Sequence, residues 1–396
     1  MRRAHWLRLA LASLCVVLAL AAAGGARAQV APPAVGARSY LLVDVSADQE
    51  LTARDPDASM PPASLTKLMT AYLVFDALRV GRLSLGQELP VSAAARQQTG
   101  SRMFLDTGMR VPVDDLLKGL LVQSGNDAAM VLAEGVGGSV DHFVQLMNDQ
   151  AQALGLRATR FANPTGLPAP GQQSTARDLA RLSLRLLRDF PDRSAYFALR
   201  KYRYPGTPPA NDGNRNVLLF RDPSVDGLKT GHTDAAGYCI IATAQRPVAG
   251  LGSGGQPAPR RLLAVVLGSD SETSRANEAQ QLLNWGYAAF DTVRLFDADQ
   301  AVATPTVWKG SASRARLGWP QPLLVSLPRG QARSLRTEVV RPEPLIAPLA
   351  KGQPVGTLKI YSGEHLLLEK PLQSLDEIGK AGIFGRAWDA FRLWIQ

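Results

Sequence analysis

The segment Pro61–Leu78 reads PPASLTKLMTAYLVFDAL and predicts a helix that is apolar on nearly every side. Such a helix lies at the centre of a domain, where an unpaired ammonium group is costly. Ser64 and Lys67 nevertheless stand three residues apart in its first turn, on one face. Burial and the positive end of the helix dipole both disfavour the charge, so we expect a lowered pKa for Lys67. A neutral lysine beside a serine hydroxyl is an activated nucleophile.

Two later segments carry small groups of polar residues. QSGNDAA places Ser124 and Asn126 at the end of a helical run, where a hydroxyl and an amide can point into one cleft. VDGLKTGHTDAAGYCIIATA places Lys229, Thr230 and Gly231 at the head of a strand. The missing side chain of Gly231 would let a substrate backbone lie against that strand. Taken singly, the serine–lysine pair is a weak signal, and ordinary turns explain the other two groups better.

The three groups together are more specific. S-x-x-K, S-x-N and K-T-G, in this order, form the signature set of penicillin-binding proteins and serine β-lactamases. The flanking segments PPASLTKLMTAY, SGNDAA, DGLKTGHTDAAGY and RANEAQQLLNWGY closely resemble the low-molecular-mass D-alanyl-D-alanine carboxypeptidases. The resemblance implies a serine-type enzyme that removes the terminal D-alanine from peptidoglycan pentapeptides and is acylated by penicillin and other β-lactams.

The resemblance also implies a role for each residue of the three motifs. Ser64 is expected to be the acyl-enzyme nucleophile, and Lys67 its general base. Ser124 and Lys229 are expected to deliver a proton to the departing D-alanine. Asn126 is expected to contact the substrate amide.

Further residues are expected to bind the substrate. The backbone N–H groups of Ser64 and His232 would form the oxyanion hole, which stabilises the charge of the tetrahedral intermediate. Thr230 and Arg275 resemble the groups that meet the terminal carboxylate, although Arg275 could also be an ordinary surface residue of a helix. Arg215, in the tripeptide NRN, is a second candidate for the carboxylate.

Three rival functions remain open at this point. A class A β-lactamase needs a glutamate between the second and third motifs, and the sequence has no glutamate between Glu134 and Glu272. We therefore expect penicillin to leave Ser64 slowly. A D,D-endopeptidase that cuts peptidoglycan crosslinks would use the same acylation chemistry. A non-catalytic wall-binding protein is the third rival, although three intact motifs argue against it.

The order of predicted strands and helices indicates an α+β fold. Residues 29–293 are expected to form a serine β-lactamase/penicillin-binding-protein-like catalytic domain, in which strands from both ends of the segment close one antiparallel sheet flanked by helices. Residues 294–378 show short alternating runs and predict a small all-β domain. Residues 379–396 predict an amphipathic helix with two tryptophans. Such a helix suits the plane of a membrane, but it could also dock on its own β domain.

The first 28 residues predict a signal peptide, with a basic start, an apolar run and the cleavage site Ala26-Arg27-Ala28. Cleavage leaves 40 basic against 34 acidic residues, a net charge of +6. No basic block indicates nucleic-acid binding. We expect an exported protein on the periplasmic side of the cytoplasmic membrane, held there by its last helix.

Neither a cofactor nor a metal ion is expected. The chain has no H-x-x-x-H or C-x-x-C spacing, so no metal site is indicated. Gly250, Gly252 and Gly255 match the dinucleotide pattern G-x-G-x-x-G, but a proline-rich stretch and a strand follow instead of a helix, which predicts a hairpin loop. Cys239 lies in an apolar run and is expected to be buried and unreactive.

Overall fold

A computed structural model describes residues 31–395, so the predicted signal peptide lies outside the described residues. The strands are β1 (Ser39–Asp44), β2 (Gln49–Arg54), β3 (Glu88–Pro90), β4 (Arg110–Pro112), β5 (Val225–Thr233), β6 (Gly237–Val248), β7 (Ala258–Ser269), β8 (Phe290–Phe296), β9 (Val307–Trp308), β10 (Leu317–Gly318), β11 (Leu323–Pro328), β12 (Leu335–Val340), β13 (Leu345–Ile346), β14 (Pro354–Ser362) and β15 (His365–Ser374). The α-helices are α1 (Lys67–Arg79), α2 (Ala93–Arg96), α3 (Val113–Lys118), α4 (Asn126–Gly137), α5 (Val140–Ala153), α6 (Ala176–Asp189), α7 (Leu218–Arg221), α8 (Glu272–Ala289) and α9 (Ile383–Trp394).

A five-stranded antiparallel sheet organises the first part of the protein. Its strand order is β2-β1-β7-β6-β5, so the two strands near the start of the chain join three strands that follow the helices. Leu41 of β1 pairs with Val265 of β7, and Lys229 of β5 pairs with Ile241 of β6. The predicted α+β fold, with one sheet closed from both ends of the segment, is confirmed. Strand β5 carries the K-T-G motif and is the terminal strand of the sheet.

Both faces of this sheet are buried. In β7, Leu263, Val265 and Leu267 belong to the larger core, and the alternate residues belong to a second core on the opposite face. Helix α1 contributes to the larger core, and α8 contributes to the second. A strand that is covered on both faces gains from apolar residues at every position, which explains the uninterrupted apolar run of β7.

The helix predicted at Pro61–Leu78 is present and central. It begins as a 3₁₀ turn, Ala63–Thr66, and continues as α1 from Lys67. All residues from Lys67 to Phe75 are buried. The turn is tighter than an α-helix, and it brings Ser64 to the surface of a cleft while Lys67 stays inside.

The C-terminal part is rich in β-strands, as predicted. A four-stranded sheet with the order β10-β15-β14-β12 is accompanied by the pairs β8–β11 and β9–β13. Leu317, Leu358, Ile360 and Leu372 are fully buried in its core. The predicted boundary between residues 293 and 294 falls within β8, and the domain limits stay a prediction.

A buried polar cluster joins the two parts. Asp44, at the end of β1, is fully buried, and its Oδ2 accepts hydrogen bonds from Arg260 Nε and Thr292 Oγ1, both at 2.7 Å. The Ser326 hydroxyl also donates to this oxygen. These four residues lie on β1, β7, β8 and β11, so one carboxylate connects the five-stranded sheet to the C-terminal strands.

The last helix, α9, presents its polar side to the protein. Asp389 accepts a hydrogen bond from the backbone N–H of Lys309 at 2.7 Å, and Arg392 lies over the Trp308 ring. The large apolar residues point outward with between 52% and 93% exposure: Ile383, Phe384, Trp388, Phe391 and Trp394. In the part of the chain that the structure describes, no helix is both long enough and apolar enough to cross a membrane.

Two smaller predictions are also confirmed. The glycine-rich stretch after β6 joins β6 to β7, which pair as an antiparallel hairpin. Cys239 is fully buried in the larger core, and burial raises the pKa of its thiol.

Candidate active site

A cavity of about 410 Å³ opens beside the terminal strand β5. It lies between that strand, the 3₁₀ turn before α1 and the start of α4. Eight of the ten residues predicted from the sequence line it: Ser64, Ser124, Asn126, Arg215, Thr230, Gly231, His232 and Arg275. The other two, Lys67 and Lys229, are buried behind the cavity wall and reach its serines from within.

Lys67 lies within contact distance of three oxygen atoms. Its Nζ is 3.0 Å from Ser64 Oγ, 2.7 Å from Asn126 Oδ1 and 2.6 Å from the carbonyl oxygen of Thr165. A neutral amine can donate to the two carbonyl oxygens and direct its lone pair at the Ser64 hydroxyl. The three contacts therefore satisfy a neutral lysine and place its basic nitrogen at the proton of Ser64.

The environment of Lys67 favours that neutral form. Burial lowers the pKa of Lys67 to about 7, although the nearby carboxylate of Asp127 opposes the shift. The expected lowering of this pKa is confirmed, with burial as its main cause. Near neutral pH a substantial fraction of Lys67 is thus available as a base.

Ser124 and Lys229 form a second serine–lysine pair. Lys229 Nζ donates to Ser124 Oγ at 2.8 Å and to the carbonyl oxygen of Thr230 at 2.9 Å. Ser124 has a left-handed backbone, with φ 62° and ψ 36°, which ends the preceding helical turn and directs its side chain into the cavity. Burial, followed by the positive charge of Lys67, holds the pKa of Lys229 well below its ordinary value.

Asn126 connects the site to the loop that precedes α3. Its Oδ1 faces Lys67, and its Nδ2 donates to the carbonyl oxygen of Thr99 at 2.6 Å. Its backbone N–H donates to the carbonyl oxygen of Ser101 at 2.7 Å. Asn126 therefore orients Lys67, and one hydrogen of its amide group remains for a ligand in the cavity.

Gly231 allows a close approach between β5 and the turn that carries Ser64. A Cβ atom at this position would lie 3.0 Å from the backbone nitrogen of Ser64 and 3.1 Å from Cβ of Ala63. The strand edge and the serine turn can be this close only because the side chain is missing. Because His232 follows Gly231 in the terminal strand β5, the approach brings this part of the strand close to the Ser64 turn.

The cationic end of the cavity is formed by Arg275 and Arg215. Arg275 is nearly buried, and its guanidinium lies over the Tyr238 ring, on which His232 stacks at 4.0 Å between ring centroids. Arg215 donates to Asn211 Oδ1 at 3.2 Å. Both predicted arginines thus lie at the cavity, and Arg275 is an interior residue of the site rather than a surface residue of α8.

Sequence reasoning missed two residues that support the site, Asp127 and Thr165. Asp127 is buried beside Lys67 and accepts hydrogen bonds from the backbone N–H groups of Met103 and Leu105, which fixes the neighbouring loop. Thr165 supplies a carbonyl oxygen to Lys67 from 98 positions away. The carboxyl of Asp127 in SGNDAA could have been noticed, but no local signal marks Thr165. Among residues 31–395, no group of three or more His, Cys, Asp or Glu side chains is placed to hold a metal ion.

Comparisons with known proteins agree with this geometry. Residues 26–269 match the family described as D-alanyl-D-alanine carboxypeptidase, and residues 290–380 match the family described as penicillin-binding protein 5, C-terminal domain. The chain is 38% identical over 394 residues to the D-alanyl-D-alanine carboxypeptidase DacC of Escherichia coli, covering 96% of this chain and 94% of that protein. The structure is similar to that of penicillin binding protein 5 from Haemophilus influenzae, with a TM-score of 0.80 and 34% identity. The match covers 89% of this chain and 100% of that one.

A relative with another named activity matches a shorter stretch. A D-alanyl-D-alanine endopeptidase of Pseudomonas aeruginosa is 33% identical over 208 residues, which cover 51% of this chain and 65% of that protein. The match to the carboxypeptidase of Escherichia coli covers nearly the whole chain, whereas the match to the endopeptidase covers about half of it.

The chain therefore belongs to the D-alanyl-D-alanine carboxypeptidase family. It is a serine-type hydrolase with the catalytic fold of that family and its β-rich C-terminal region. The resemblance that the motifs indicated is confirmed.

Proposed function

We propose that the protein removes the terminal D-alanine from peptidoglycan pentapeptide stems through an acyl-enzyme on Ser64, and that β-lactams acylate the same serine. The observation that carries the proposal is the contact of Ser64 Oγ with a buried lysine, Lys67, whose pKa is about 7. No cofactor takes part.

In the first step, neutral Lys67 takes the proton of Ser64 as Oγ attacks the carbonyl carbon of the penultimate D-alanine. The backbone N–H groups of Ser64 and His232 stabilise the resulting oxyanion. The close approach of Gly231 to the Ser64 turn supports this pairing of donors. The amide bond to the terminal D-alanine then breaks, and an ester bond to Ser64 remains.

The departing D-alanine needs a proton on its nitrogen. Ser124, to which Lys229 donates, supplies it from its hydroxyl. The proton that Lys67 took from Ser64 then restores the Ser124–Lys229 pair, so the protons balance over the acylation step. Water then attacks the ester with Lys67 as its base, which releases the shortened peptide and restores Ser64.

The cationic end of the cavity holds the terminal carboxylate of the substrate. Thr230 offers a hydroxyl, Arg275 a buried guanidinium, and Arg215 a second guanidinium at the rim. Charged hydrogen bonds between guanidinium and carboxylate groups are strong and directional. This arrangement favours substrates that end in a free carboxylate, which a carboxypeptidase requires. Asn126 contacts the substrate amide through its remaining N–H.

An endopeptidase that cuts crosslinks is the second candidate, since one relative with that name shares about half of the chain. The same serine and lysines would carry out its chemistry. The full-length similarity to carboxypeptidases favours the first candidate. A β-lactamase and a non-catalytic wall-binding protein have less support, because the sequence lacks the deacylating glutamate and retains all three motifs.

We further propose that the protein is exported and lies on the periplasmic side of the cytoplasmic membrane, peripheral to it. The predicted signal peptide supports export. The outward apolar side of α9, with two tryptophans, supports seating of this helix in the membrane interface. The peptidoglycan substrate would then be within reach of the active site.

Labelling with a fluorescent penicillin tests the acylation step. The wild-type protein should form one stable covalent adduct, which a peptide digest places on Ser64, and Ser64→Ala should form none. Ser59→Ala is a matched control, because Ser59 lies near Ser64 in the sequence but donates to Gln173 and does not line the cavity. Labelling of Ser64→Ala, or rapid multiple turnover of penicillin by the wild type, would contradict the proposal.

A further inference from the structure

Glu272 lies at the rim of the active-site cavity, in the first turn of α8. Arg275 Nη2 donates to Glu272 Oε1 at 2.7 Å, and Arg275 Nη1 lies 3.3 Å from the carbonyl oxygen of Gly231. Both terminal nitrogens of this guanidinium thus face protein acceptors. Of the described residues that line the cavity, Glu272 is the one with a carboxylate.

The two side chains of this ion pair differ in how freely they can move. The Arg275 side chain is 6% exposed and held against Tyr238, whereas the Glu272 side chain is 54% exposed. An exposed glutamate in the first turn of a helix can rotate into water and keep the favourable influence of the helix N-terminus. Arg275 is therefore the fixed partner and Glu272 the replaceable one.

We propose that Glu272 is a specificity-determining residue that competes with the terminal carboxylate of the substrate for Arg275. The inference rests on the proposed function, in which Arg275 binds that carboxylate. In the free enzyme Glu272 neutralises the guanidinium, and binding exchanges one carboxylate for the other. A ligand without a carboxylate gains nothing from the exchange, so Glu272 sets the affinity for carboxylate-terminated substrates alone.

The test compares Glu272→Gln with the wild type on two probes: an acylated peptide that ends in D-Ala-D-Ala, and the same peptide with a C-terminal amide. We expect Glu272→Gln to lower KM for the acid by about threefold, because a partly exposed ion pair is weak. The value of kcat for the acid should stay unchanged, and so should the affinity for the amide. If the enzyme does not hydrolyse the amide, its affinity is measured as the constant for competitive inhibition of acid hydrolysis.

Asp270→Asn provides the matched control. Asp270 is exposed, lies two residues away and does not line the cavity, so its replacement removes the same charge without freeing Arg275. An equal effect of Asp270→Asn, an equal effect of Glu272→Gln on acid and amide, or an unchanged or raised KM for the acid would overturn the inference. Failure of the proposed function is distinguishable, because then wild type and Ser64→Ala would both release no D-alanine.

Discussion

Lys67 is the residue on which the proposed chemistry depends most directly. It is fully buried, yet its nitrogen contacts three oxygen atoms, one of them Oγ of Ser64, the proposed nucleophile. Burial lowers its pKa, and the base must be neutral to accept the proton of Ser64. The reaction is therefore expected to slow as the pH falls through that pKa.

The predicted pH profile has an acid limb near pH 7, the value to which the pKa of Lys67 is lowered. Below it, Lys67 is protonated and the second-order rate constant for acylation by penicillin should fall about tenfold per pH unit. Stopped-flow or gel-based labelling between pH 5 and 9 measures this. Tryptophan fluorescence over the same range checks that the protein stays folded. A profile that is flat across pH 7 would contradict the assignment of Lys67 as the base.

Gly231 offers a second test at this scale. In Gly231→Ala, the new Cβ would lie 3.0 Å from the backbone nitrogen of Ser64, so the serine turn or the strand must shift. We expect the acylation rate constant to fall by about 10- to 100-fold, because small displacements of reacting groups are costly. The melting temperature should change little. Gly213→Ala is the control, since a Cβ there meets open space.

The motif residues could be predicted because the members of each pair lie close together in the sequence. Ser64 and Lys67 are three residues apart, and Ser124 and Asn126 are two apart. The supporting contacts could not. Thr165 reaches Lys67 from 98 positions away, and only the folded loop brings it there. Arg275 and Glu272 are close in the sequence, so their pairing is local. The position of this pair at the cavity depends on β5, whose Gly231 carbonyl oxygen Arg275 also contacts.

At the scale of elements, the apolar pattern predicted the central helix at Pro61–Leu78 and the short strands of residues 294–378, because burial selects apolar residues on the faces that are covered. It did not predict the short helices α2 and α7, which are too brief to show a period. Nor did it predict the π-helical turn Gly119–Gln123, which continues α3 up to Ser124 and whose Gln123 side chain donates to the carbonyl oxygen of Tyr202.

Helix α9 carries a prediction of its own. Deletion of Ala381–Gln396 should abolish cosedimentation of the protein with anionic lipid vesicles, because the exposed apolar side of α9 is lost. Release of D-alanine from a soluble peptide should persist, since α9 contacts the C-terminal strands and not the cavity.

A matched pair of variants separates the apolar side from the rest of the helix. Phe384→Ser with Trp388→Ser should also prevent cosedimentation, while Arg386→Gln should weaken it only slightly. The double serine variant and Arg386→Gln both keep the contact of Asp389 with Lys309. If the deletion variant still pellets with vesicles, the helix is not the membrane contact.

At the scale of the whole molecule, the catalytic sheet and the C-terminal strands share the buried cluster around Asp44. This junction could not be predicted from the sequence, since Asp44 and Ser326 are 282 positions apart. The sequence indicated two parts, and it contained no sign of which residues join them.

Asp44→Asn should destabilise the protein by about 3–5 kcal/mol, because it leaves the buried guanidinium of Arg260 without its counter-charge. Asp376→Asn, which breaks the more exposed pair with Arg316, should lower the free energy of unfolding much less, because water screens this pair. Urea unfolding monitored by circular dichroism measures both. Equal losses would show that the Asp44 cluster does not stabilise the junction.

The central claim is that Ser64 carries a carboxypeptidase activity, and release of free D-alanine from a purified muropeptide pentapeptide tests it most directly. The mature protein and Ser64→Ala are compared, with a crosslinked muropeptide dimer as the second substrate. We predict D-alanine release from the pentapeptide by the wild type, its loss in Ser64→Ala, and little cleavage of the dimer. Preferential cleavage of the dimer would instead make the protein an endopeptidase, and no product from either substrate would contradict the account.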